Sequence, residues 1–79
     1  MIRHEGLRLV LTFYTTADAI ATERLCKEKI IPGRLIPVPR ELTSDCGMAW
    51  SMAPEDEKLL NAALEKSQIE IAGRNILEL

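Results

Sequence analysis

Leu7-Arg8-Leu9-Val10-Leu11-Thr12-Phe13 decides the architecture. Leu7, Leu9, Leu11 and Phe13 recur at period two, while Arg8, Val10 and Thr12 alternate with them, which is the pattern of a strand. One face is wholly apolar and the other mixed, so this strand belongs to a sheet covered on one side rather than to a parallel sheet buried between helices. Downstream, Thr15, Thr16 and Asp18 carry short side-chain oxygens that can accept the free amide protons at a helix start. Ala17, Ile20, Ala21 and Leu25 then recur at helical spacing, predicting a helix from Ala17 to about Lys29 with that stripe inward and Glu23, Arg24, Lys27 and Glu28 outward. Lys27 and Lys29 suit its C-terminal dipole. Pro32-Gly33 is expected to stop it with a type II turn.

Farther out, Arg34–Val38 reads as a short strand that Pro37 confines to a sheet edge, because proline cannot donate to a ladder. Pro39–Asp45 reads as a loop. Gly47–Met52 reads as a third strand with Met48, Trp50 and Met52 on one face and Ala49 and Ser51 on the other. Pro54 and Glu55-Asp56-Glu57 mark the start of a second helix, whose apolar stripe is Leu59, Leu60, Ala63 and Leu64. Ile69 to about Ile76 reads as a last strand, interrupted at Gly73 by a bulge or turn. The order strand, helix, strand, strand, helix, strand predicts an α+β ferredoxin-like βαββαβ two-layer sandwich, with a four-stranded antiparallel sheet and both helices on one face. The right-handed crossover rule places the third strand between the first and the second.

Seventy-nine residues bound this as one small domain over 1–79, with 1–6 a frayed terminus. Apolar residues make up 47% and charged residues 28%, which excludes intrinsic disorder, and aromatics are only 4%, so the core is aliphatic. A net charge of −2 argues against nucleic acid as a partner. No run approaches the length of a membrane span, and the start of the chain does not read as a signal peptide. Two cysteines are too few for a secreted disulfide scaffold, which points to a reduced, cytoplasmic protein.

The connection between the second and third strands is longer than a hairpin needs. Extra length of this kind in a compact domain is often functional. Pro37 and Pro39 limit the conformations of this segment, Arg40 and Glu41 form a charge pair, and Thr43, Ser44 and Asp45 precede Cys46-Gly47. Thiolate is the reactive form of cysteine; Arg40 would favour it and Asp45 would oppose it. Gly47, without a Cβ, lets a visiting backbone or sulfur approach Cys46. The plain alternative is that Cys46 is a small buried hydrophobe at a strand start.

The segment Arg34-Leu35-Ile36-Pro37-Val38-Pro39-Arg40-Glu41-Leu42-Thr43-Ser44-Asp45-Cys46-Gly47-Met48-Ala49 resembles a bacterial selenium/sulfur-carrier-like family whose members share Pro-x-Pro-Arg-Glu-Leu, small polar residues and then Cys-Gly. The likeness covers nearly the whole chain. In some relatives the domain follows a small sulfur-carrier domain. The resemblance implies that the Cys46 thiol carries a sulfane sulfur or selenium between transfer proteins, with Arg40 and the Ser44–Gly47 backbone, including Asp45, binding around it. It calls for no cofactor and no metal.

Cys26, near the end of the first helix, reads as a packing residue expected to lie away from Cys46. His4, in the terminus, is at no recognised zinc spacing from the cysteines. A second class of function stands beside the carrier: a non-catalytic ferredoxin-like interaction or regulatory module, homodimeric through its sheet, with Cys46 structural.

Overall fold

The computed structural model describes residues 6–42 and 46–79. The expected frayed terminus beyond Gly6, together with His4, Thr43, Ser44 and Asp45, lies outside the described residues. β1 (Leu7–Thr12), α1 (Thr16–Lys29), β2 (Arg34–Pro37), β3 (Met48–Met52), a 3-10 turn (Pro54–Asp56), α2 (Glu57–Leu64) and β4 (Gly73–Glu78) follow one another along the chain. The sheet order is β2-β3-β1-β4 with every neighbouring pair antiparallel. Both helices pack on one face, so this is the ferredoxin-like α+β sandwich that the period-two and helical patterns predict.

The core lies between that face and the helices. Leu9, Leu11 and Phe13 meet Trp50 and Met52 from β3, Ala19 and Cys26 from α1, and Leu60 from α2. Burying each large apolar side chain contributes roughly 1.5–3 kcal/mol, which makes this cluster the main source of stability in a small chain. The opposite face is small at its centre. Val10, Thr12, Ala49 and Ser51 are buried there, and Arg8 donates from Nε to Ser51 Oγ at 3.0 Å.

Thr15 caps α1, its Oγ1 accepting the Asp18 N–H at 3.1 Å. The inward face of α1 differs from the expected stripe. Ala19, Thr22 and Cys26 are buried, whereas Ala17 and Ile20 are exposed. Residues at i, i+3 and i+7 share one face, and the small side chains of this one let the helix lie close over the sheet. Thr22 tolerates burial because its hydroxyl donates to the Asp18 carbonyl at 2.9 Å. Leu59 is likewise turned outward, 55% exposed, while Leu60 takes the core position.

α1 ends at Lys29 as expected, but the residue that terminates it is a different one. Ile30, not Gly33, adopts the left-handed conformation (φ 58°, ψ 46°), and the Ile31 N–H closes the helix on the Cys26 carbonyl at 2.8 Å. No type II turn forms at Pro32-Gly33. Gly33 serves instead as a close-approach residue: a Cβ there would lie 2.5 Å from Trp50 Cζ2 and 2.9 Å from the Ser51 carbonyl oxygen. β4 begins at Gly73 rather than at Ile69. The reason is its partner: β1 ends opposite Gly73 at Thr12, so residues before 72 have no ladder to join. Ile69 and Ile71 pack against the core without pairing. Gly73 therefore opens the strand rather than interrupting it, and just before it the Ala72 N–H donates to the Thr12 carbonyl at 2.8 Å.

Candidate functional site

The two limbs of the long connection are set by the β2–β3 ladder. Pro37 pairs with Met48, and one step beyond it the Val38 N–H donates to the Gly47 carbonyl at 3.1 Å. Pro39 on one limb and Cys46 on the other are thereby held at the end of the sheet where β1 runs out and α1 begins. On the outgoing limb the Leu42 N–H closes a turn on the Pro39 carbonyl at 3.0 Å, which places Arg40 and Glu41 at its exposed tip. On the returning limb Gly47 has φ +78°, a conformation that glycine adopts without penalty. That bend folds the Cys46 side chain back on its own backbone.

Cys46 Sγ lies 3.2 Å from the Met48 carbonyl oxygen, to which its S–H donates, and 3.4 Å from the Met48 nitrogen, whose N–H points at the sulfur. The side chain rests against the edge of the core and stays half-buried. Among the described residues, and apart from its two chain neighbours, no atom lies within 4 Å of where a Gly47 Cβ would sit. The thiol form makes both contacts; loss of the proton would remove the bond to the Met48 carbonyl and leave the Met48 N–H as a donor to the sulfur.

Cys26 is different in kind. It is completely buried under α1, and desolvation pushes its pKa from 9.0 to about 11. It stays a thiol near neutral pH and cannot be reached by a reagent in solution. The two cysteines lie toward opposite ends of the sandwich, since Cys26 occupies the last turn of α1 while Cys46 is at the sheet end where α1 starts. Neither forms a disulfide.

Of the residues singled out in the sequence, Cys46 and Gly47 are contiguous at the site, and Arg40 sits on the facing limb. Ser44 and Asp45 lie outside the described residues. The sequence did not point to Met48, whose main chain supplies two contacts to the sulfur. A backbone donor leaves no mark in side-chain identity; the only hint was the Cys-Gly pair immediately before a strand. Among the described residues no three or more His, Cys, Asp or Glu side chains come together as a metal site, and no helix is long and apolar enough to cross a membrane.

No curated protein and no solved structure matches this chain. A family model does, over residues 8–74, a span that runs from β1 through the Cys46 connection into β4. By that match the chain belongs to the family described as "Putative Se/S carrier protein-like".

Proposed function

We propose that this domain carries a sulfane sulfur, or selenium, on the Cys46 thiol and hands it to a partner protein. The contrast between its two cysteines carries this reading: one thiol is sealed in the core, the other is half-buried at a loop end. In loading, the Cys46 thiolate attacks the outer sulfur of a donor persulfide R–S–SH. The donor's S–S bond breaks, the donor leaves as its thiolate, and a Cys46–S–SH persulfide forms. The oxidised sulfur moves with its bonding partner exchanged, so no outside oxidant is consumed. Delivery is the same exchange with an acceptor thiolate attacking the outer sulfur and Cys46 as the leaving group. A single accessible sulfur suffices for both steps. The donor and acceptor are sulfur- or selenium-transfer proteins, which would meet the domain at Arg40, Cys46 and Gly47.

Thiol reactivity tests the reading. In the folded protein one cysteine should alkylate rapidly, the modified peptide should contain Cys46, and Cys46→Ser should abolish the fast phase. If Cys46 reacts only after unfolding, the carrier reading fails and the domain is an interaction module with two structural cysteines.

A further inference from the structure

The two rims of the sheet are unequally protected. β2 ends in Pro37, with Pro32 and Pro39 to either side, and proline interrupts the row of donors that an incoming strand would need. β4 has no proline and, among the described residues, pairs on one side only, with β1. The Leu79 N–H donates to the Gly6 carbonyl at 2.8 Å, so Leu79 faces β1, and by the alternation of an antiparallel ladder Leu77 and Asn75 do too. The main-chain groups of Arg74, Ile76 and Glu78 therefore point away from the sheet. All three residues are exposed. Ile76 is 53% exposed, and its diagonal neighbour Leu7, on the same face of β1, is 58% exposed.

We infer that β4 pairs antiparallel with β4 of a second copy of this chain, about a two-fold axis at Ile76. Three registers set Ile76 opposite an outward-facing residue of the second strand, and side-chain chemistry separates them. Centred on Ile76, the pairing sets Arg74 opposite Glu78 of the second copy, twice by symmetry, and the two Ile76 side chains across the axis. A shift of either kind sets Ile76 opposite a charge. Arg74 is already ordered for this role. Its Nη1 donates to Glu57 Oε2 and to Asn61 Oδ1, each at 2.7 Å, leaving Nη2 for the carboxylate of the second copy. The contact rests on one short strand, so it belongs to the weak, concentration-dependent class of interface. It joins the two sheets into one and leaves both β2–β3 connections, with Cys46, at the far rims.

Sedimentation of the full chain over a concentration series, with backbone amide exchange followed by NMR, tests this. The mass should rise from 8.9 kDa toward twice that value. The Ile76 amide should gain protection over the same range, while Asn75 and Leu77 are protected throughout. Glu78→Arg and Arg74→Glu should each remain monomeric, and their equimolar mixture should recover the dimer, because the two variants complement each other at both charge pairs. A monomer at every concentration overturns the inference, as does a dimer that survives Glu78→Arg. Should a variant fail to fold, the natural chain decides: association without protection at Ile76 places the interface elsewhere.

Discussion

Cys26 and Cys46 have the same side chain, and their surroundings give them different chemistry. An unfolded Cys26 ionises near 9.0, whereas in the fold it keeps its proton to about 11. Between those values the folded state binds more protons than the unfolded one, so stability present below pH 9.0 declines as pH rises toward 11. The loss should reach up to about 2–3 kcal/mol. Denaturant unfolding across this window should show the decline, and Cys26→Ala should flatten it; an unchanged slope in that variant would assign the alkaline loss to other groups. Two neighbouring backbone positions should respond to substitution with opposite signs. Ile30 holds a left-handed conformation with its side chain 86% exposed, so it bears the steric cost without packing in return. Ile30→Gly should raise stability by about 0.5–1 kcal/mol. Gly33→Ala should lower it by about 2 kcal/mol or more, since the new methyl meets the Trp50 ring and the Ser51 backbone. Thermal denaturation of the pair reads both signs, and a neutral Gly33→Ala would mean that the Trp50 contact yields easily. The same ring carries a buried Nε1 without a hydrogen-bond partner among the described residues, a further reason why this corner does not adjust at low cost.

At the scale of elements, legibility followed side-chain size and partner choice. β1 could be read because large apolar residues alternate with polar ones at a strict period. The β3 alternation of Met48, Trp50 and Met52 was equally plain. The inward face of α1 could not be read, because Ala19, Thr22 and Cys26 are small and mildly polar, while the larger Ile20 catches the eye and turns out to face solvent. The end of α1 at Lys29 was legible, but its terminating device was not, because Gly is the usual left-handed residue and here an exposed Ile takes that conformation one turn earlier. The start of β4 is a tertiary matter: Ile69 and Ile71 have strand-like composition, but β1 supplies no edge beyond Thr12. The Cys46 connection was legible as a motif. Its closing bonds, Val38 to Gly47 and Cys46 to Met48, are main-chain interactions that no residue pattern announces.

The whole molecule separates its tasks in space. Packing is concentrated under the helices, where Leu9, Leu11, Phe13, Trp50, Met52 and Leu60 close the core around Cys26. The proline-flanked β2 rim carries the Cys46 connection, and the opposite β4 rim is left able to pair. The proposed carrier role would use such a division, since a loaded sulfur would have to meet a donor and an acceptor in turn without disturbing the core. The most direct measurement is intact mass after incubation of the folded protein with a sulfane-sulfur donor, followed by peptide mapping. The account predicts a gain of one sulfur atom that maps to Cys46, persists in Cys26→Ser, is absent in Cys46→Ser and is removed by an acceptor thiol. A protein that gains no mass, or gains it at Cys26, would contradict it.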